Sequence, residues 1–137
     1  MLTLLLSSML ALTTPMANEP ETTDTNTTEV AAELKAKPKK ASQLVWCTYY
    51  GKSSNGRKTA SGERHYSHEY VCAHLTLPFG TRIHLRNPKN GKEIVVKVND
   101  RGPHSKKYKL DLSYGAAQAL GFIRAGVCQL EMTVLDK

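Results

Sequence analysis

From residue 43 onward the apolar positions fall into short runs, and each run stops at a turn signal. Residues 43–50 are β-branched and aromatic and end at Gly51, the composition of a strand. Residues 51–63 are rich in Gly, Ser, Asn and Lys and read as loop. A short extended segment is predicted over 70–75, then a turn at Pro78-Phe79-Gly80. Over 81–86, Ile83 and Leu85 share one side of a strand while Arg82, His84 and Arg86 share the other. Asn87-Pro88-Lys89-Asn90-Gly91 predicts a hairpin, because Asn-Gly accepts positive φ. The run Ile94-Val95-Val96-Lys97-Val98 predicts a buried strand over 93–99, broken by Asp100-Arg101-Gly102-Pro103. Another short strand is predicted at 109–112. Ser113 is placed to cap a helix over 114–120 that Gly121 ends. Residues 127–135 alternate as a last strand. Many short strands with one helix argue for a small β-barrel.

The first forty residues differ in kind. They hold no Trp, Tyr, Phe, Gly or His and much Thr, Ala, Glu and Lys. Such a segment buries too little apolar surface to offset its ordering entropy, so a disordered tail is expected ahead of the barrel. Within it, Leu2 to Leu12 is a short apolar run, and small residues lead to Ala17 before an acidic stretch. That resembles the hydrophobic region and cleavage zone of a signal peptide. It is too short for a permanent bilayer anchor. The expected organisation is a signal peptide over 1–17, a linker over 18–41 and one domain over 42–137. Export would place the domain in the periplasm or outside the cell. No Cys lies near the cleavage zone, so no lipid-modified N-terminus is expected.

The net charge of +7 resides in the domain. From residue 41 onward there are fifteen Lys and Arg against seven Asp and Glu. An excess of this sign favours an anionic partner. Nucleic acid and a carboxylate-bearing polysaccharide both qualify. The chain carries no recognised nucleic-acid motif and does carry an apparent export signal, so nucleic acid is not the expected partner. Of the three cysteines, Cys47 and Cys128 fall in strand-like segments near the two ends of the domain. In an exported protein they form the favoured disulfide pair, leaving Cys72 over.

A series of motifs then runs in order: Tyr49-Tyr50-Gly51, Thr59-Ala60-Ser61-Gly62-Glu63, Ala73-His74-x-Thr76-Leu77-Pro78-Phe79-Gly80-Thr81, Asn90-Gly91-Lys92, Val96-x-Val98-Asn99-Asp100-Arg101-Gly102-Pro103, and Asp111-Leu112-Ser113 with Ala116-Ala117. Over about residues 45–135 the chain resembles the rare lipoprotein A (RlpA) family of septal lytic transglycosylases. The resemblance implies a six-stranded double-psi β-barrel with one or two short helices. It also implies activity on peptidoglycan glycan strands that lack stem peptides, giving 1,6-anhydro-muramyl products. The family's catalytic carboxylate falls on Asp100, and its associated functional positions fall on Glu63 and His74. Two positions depart from the usual pattern: Cys72 stands for an alanine, and His104 for an aromatic residue.

Lytic cleavage uses no water. An acid protonates the glycosidic oxygen, then a base takes the proton of the sugar's own C6 hydroxyl, and one carboxyl group can do both in turn. Asp100 is the expected acid and base. Glu63 and His74 are expected to serve catalysis with Asp100: Glu63 by binding substrate or tuning Asp100, and His74 by hydrogen-bonding sugar or steadying the oxocarbenium-like site. Tyr50, Ser61 and Arg101 are the expected substrate-binding residues. Without the family, Asp100 reads as a turn aspartate and His74 as a core histidine; Asp111 is expected to bond backbone near the helix start rather than to do chemistry. His65, His68, Cys72 and His74 include zinc-ligand types, but their spacing is not a zinc pattern. The domain is read as a monomer needing no cofactor or metal and having no stable membrane anchor. The other functional class that fits is a non-catalytic, expansin-like module that only binds wall glycan.

Overall fold

The computed structural model describes residues 41–135. The expected signal peptide and nearly all of the expected linker lie outside the described residues. The elements are β1 (Gln43–Tyr49), a 3-10 turn (Lys52–Ser54), β2 (Val71–Ala73), β3 (Arg82–Arg86), β4 (Glu93–Asp100), β5 (Leu110–Leu112), α1 (Tyr114–Ala119) and β6 (Cys128–Val134). The six strands close into a barrel in the order β1-β5-β2-β4-β3-β6. Closure removes the exposed strand edges that an open sheet of this size would carry. β1 runs parallel to β5 and β2 parallel to β4, while the other four pairings are antiparallel.

Period-two patterning accounts for most of the interior. Ile83 and Leu85 of β3 are fully buried, as their alternation predicts. Cys128, Leu130, Met132 and Val134 of β6 supply a matching inward column. β4 is apolar on both faces and buried on both, with Val95 at 3% exposure beside Ile94 and Val96. α1 packs on β4 and β1. Its two fully buried residues, Ala116 and Ala117, are small enough to let the helix lie close. Ser113 caps the helix, its Oγ accepting from the Ala116 N–H at 3.3 Å. The Asn-Gly hairpin forms between β3 and β4, with Arg86 paired to Glu93 and Gly91 at φ +74°. The Asn87 and Asn90 side chains both donate to the Leu120 carbonyl, at 2.8 and 2.9 Å, tying the hairpin to the end of α1.

The main departure from the predicted elements is at the end of β4. The strand continues through Asp100 instead of stopping at Asn99. The ladder to β2 shifts there: Cys72 pairs with Val98, but Ala73 pairs with Asp100. Asn99 is the extra residue of a β-bulge, which bends the strand and re-aims the Asp100 side chain. Ala73 also pairs with Asp111 of β5. Asp100, Ala73 and Asp111 therefore form one row across β4, β2 and β5. Directly paired residues project to one face, so the two carboxylates flank a methyl group.

The cysteine register is as regular as the rest. Cys47 pairs directly with Cys128 across β1 and β6. The expected disulfide is nonetheless not formed in this structure: all three cysteines are free thiols. The Cys47 thiol is directed to the Val45 carbonyl at 3.8 Å and that of Cys128 to the Gln129 carbonyl at 3.4 Å. Burial is the main cause that pushes all three thiols above their ordinary range.

Candidate active site

A cavity of about 290 Å³ opens beside the end of β4. Tyr50 just after β1, Asp100 and Arg101 at the end of β4, and Asp111 of β5 contribute to its wall. The loop between β1 and β2 closes it with Thr59 and His65. Residues remote in sequence thus meet because the strand order places β5 and β2 between β1 and β4.

Asp100 is held by three donors. Its Oδ1 accepts from the backbone N–H of Ala60 and of Arg101, both at 2.9 Å. Among the described residues its Oδ2 accepts only from the Tyr50 hydroxyl, at 3.1 Å. The two oxygens are therefore unequal. Oδ1 is saturated by rigid backbone donors, and Oδ2 has one side-chain partner and room for more. Burial first, then the charge of Asp100, pushes the Tyr50 phenol well above its ordinary range, so the hydroxyl is always available as a donor. Asp111 shares the cavity and accepts a hydrogen bond from the Thr48 hydroxyl. It does not bond backbone near the helix start as expected; Ser113 serves there instead.

Glu63 does not meet Asp100. Lys97 Nζ stands 3.0 Å from its carboxylate, and Asn99 Nδ2 donates to it at 3.3 Å. The Lys97 hydrogen bond is the main cause that holds Glu63 below the usual carboxylate range. The half-exposed Glu63 side chain is not part of the cavity wall. Its loop is pinned to β4 nonetheless: the Ser61 N–H donates to the Asn99 carbonyl at 3.2 Å and Thr59 N–H to the Glu63 carbonyl at 2.8 Å. Ser61, expected to bind substrate, lies outside the cavity wall; its Oγ stands 2.9 Å from the Thr59 Oγ1 within this loop.

His74 is not part of the cavity wall either. Its Nδ1 accepts from the backbone N–H of Thr76 and Leu77, at 3.1 and 3.0 Å. That fixes the neutral tautomer with the proton on Nε2. Burial is the main cause that lowers its proton affinity, helped by Lys109 and Arg101. The same loop holds Arg101, whose guanidinium donates to the His74 and Leu77 carbonyls at 3.1 and 2.9 Å and stacks 3.9 Å from the Phe79 ring centroid. No carboxylate neutralises Arg101 in these contacts, so its charge remains available to the cavity. Gly102, at φ +138°, lets the chain turn away directly after it.

His65 is the residue that sequence reasoning weighs only as a metal ligand. It is 3% exposed and lines the cavity, its ring edge-on to Tyr50 at 5.0 Å between centroids. The zinc-type set does not converge, since Cys72 is in the barrel core and His74 is bonded to backbone. Among the described residues no group of three or more His, Cys, Asp or Glu side chains is arranged to hold a metal ion.

Comparison with known proteins agrees with this architecture. The family model described as lytic transglycolase matches residues 43–132. A probable endolytic peptidoglycan transglycosylase RlpA from Aquifex aeolicus is 52% identical over 90 residues, covering 66% of this chain and 40% of the relative. The endolytic peptidoglycan transglycosylase RlpA of Neisseria meningitidis is 41% identical over 85 residues, covering 62% of this chain and 36% of the relative. The chain thus spans well under half the length of these relatives. Among solved structures, the Streptomyces papain inhibitor superposes with a TM-score of 0.58 at 21% identity, over 70% of this chain and 96% of that one. An expansin of Clavibacter michiganensis superposes with a TM-score of 0.57 at 21% identity, over 71% of this chain and 52% of that one. At such identity these two speak for the fold alone. The matched span, nearly the whole barrel, makes this chain a member of the lytic transglycolase family of double-psi β-barrels.

Proposed function

We propose that the domain cuts peptide-free glycan strands of peptidoglycan by lytic transglycosylation, with Asp100 as acid and then base. The observation that carries this is the unequal environment of the two Asp100 oxygens in an open, sugar-sized cavity. Oδ1 is the anchor. Oδ2 is the working oxygen, delivering its proton to the glycosidic oxygen as the bond from the muramyl C1 breaks. The C6 hydroxyl then closes on C1, and its proton returns to Oδ2, so the carboxyl group ends as it began. The names of the RlpA relatives support the same reaction.

Glu63 and His74 act as positioning residues in this scheme. Glu63 clamps the loop that presents the Ala60 N–H to Asp100. His74 organises the loop that holds Arg101. Tyr50 contacts Asp100 and offers its ring edge to the sugar, and Arg101 supplies positive charge for the lactyl carboxylates that peptide-free strands expose. The basic balance of the domain fits such a polyanion. The substrate lies outside the cytoplasm, so the protein works in the periplasm or beyond.

The test is incubation with amidase-treated sacculi and mass analysis of the soluble products. Wild type is expected to release anhydro-ended glycans. Asp100→Asn keeps an oxygen for the two backbone donors but cannot cycle a proton, and is expected to lose on the order of 10²–10⁴ in rate. Binding without product would instead mean an expansin-like module, and products with reducing ends a hydrolase.

A further inference from the structure

We propose that His65 is a substrate-contacting residue of the Asp100 cavity, its imidazole forming hydrogen bonds with the hydroxyl or acetamido groups of the bound sugar. The inference rests on the proposed glycan substrate. It is carried by an unpaired group. Among the described residues, neither His65 Nδ1 nor Nε2 has a hydrogen-bond partner, although the side chain is almost completely buried. Buried polar atoms are nearly always paired, and an exception asks for a reason.

A loosely held ring does not explain it. The His65 backbone is fixed on both sides: its N–H donates to the Arg57 carbonyl at 2.7 Å, and its carbonyl accepts from Gly56 at 2.6 Å. The ring packs edge-on against Tyr50, whose hydroxyl holds Asp100. His65 is therefore locked at the cavity wall, one side chain away from the carboxyl group. Packing alone does not explain it either, because a phenylalanine of similar shape would fill the space without stranding two nitrogens.

The chemistry of the ring identifies the ligand class. Burial is the main cause that keeps His65 neutral, against the opposing pull of Asp100 and Glu69. A neutral imidazole presents one donor and one acceptor. That pair matches a sugar hydroxyl or a secondary amide, each of which both donates and accepts. Desolvated polar groups fixed in advance bind without reorganising, which is how binding sites gain selectivity for polar ligands.

The experiment compares His65→Phe and His65→Asn with the parent. Binding of a soluble, peptide-free glycan oligomer is measured in the inert Asp100→Asn background, alongside KM and kcat with an intact Asp100. His65→Phe is expected to raise Kd and KM about tenfold, the loss of one hydrogen bond, while its melting temperature stays level or rises because stranded nitrogens are gone. His65→Asn is expected to recover part of the affinity. Unchanged Kd and KM in His65→Phe would overturn the inference. So would a fall in melting temperature that His65→Asn repairs without repairing binding, which marks a structural role. If wild type made no anhydro product, the proposed reaction would fail, while the binding comparison would still judge His65 separately.

Discussion

Tyr50→Phe isolates one contact of the site. The substitution keeps the ring that packs against His65 and deletes only the hydroxyl that meets Asp100 Oδ2 at 3.1 Å. As Oδ2 gives up its proton in the proposed reaction it becomes charged, and a hydrogen bond to a charged group contributes about 1.5–3 kcal/mol. The observed length is at the long end for an O–H donor, so the lower figure, about 1.5 kcal/mol, is the one to use. If the hydroxyl aims Oδ2 at the glycosidic oxygen, that energy appears in the chemical step as about a tenfold fall in kcat. KM should stay within about twofold, since the ring proposed to meet the sugar remains. Stability should move little, because the lost hydrogen bond is offset by no longer burying a phenol; a shift of about 1 kcal/mol would move Tm by about 4–8 °C in a domain of this size. The assay is time-resolved release of anhydro-ended glycans, with Tm measured on the same preparation. In the Asp100→Asn background the same change should have no further effect on rate, since the two groups act as one unit. Wild-type kcat in Tyr50→Phe, or an additive loss in the double variant, would refute the idea that the hydroxyl works through Asp100.

Three other outcomes are expected from the structure. His65, His74 and Glu63 all bind protons less readily in the folded state, so the unfolded chain takes up protons first on acidification. Their stabilisation is complete above about pH 6.5, the ordinary histidine value, and is lost as pH falls through the lowered folded values; Tm should drop between pH 7.5 and 5, and a higher Tm at pH 5.5 than at 7.5 would contradict this. Glu63 adds only a small part because its carboxylate is half-exposed and screened. Gly121→Ala should cost about 2 kcal/mol by denaturant titration, because Gly121 sits at φ +77° and a Cβ there would come within 2.8 Å of the Asn90 amide that ties the hairpin to α1; a change under about 0.5 kcal/mol would mean that the hairpin gives way freely. Controlled oxidation should link Cys47 to Cys128 and leave Cys72 as a thiol, since directly paired strand residues have Cα atoms about 4.5–5.5 Å apart, within disulfide reach; non-reducing peptide mapping that found Cys72 in the bridge would contradict it.

The strands were legible because their physics is local. Alternation put Ile83 and Leu85 inward, Asn-Gly set the β3–β4 turn, and Ser113 announced the helix. What was not legible depends on neighbours brought together by folding. Strict alternation would place Asp100 on the same face as the buried Val96 and Val98; the bulge at Asn99 pairs it instead with Ala73, in line with Asp111. Period-two reading cannot reveal an inserted residue. The family resemblance named Glu63 and His74 but could not say that one is spent on Lys97 and Asn99 and the other on its own loop's backbone. His65 carried no signal beyond its residue type, because its meaning lies in being buried without a partner.

The insertion of β5 between β1 and β2 has a consequence for when the proposed wall-cutting activity could become dangerous to the cell that makes the chain. Tyr50, Asp100 and Asp111 reach a common wall only once the fifth strand has threaded between the first and second, so neither an N-terminal fragment nor a half-synthesised chain can assemble the site. Long-range pairings of this kind form late and slowly. A wall-cutting chain would thus stay harmless until the whole barrel has closed.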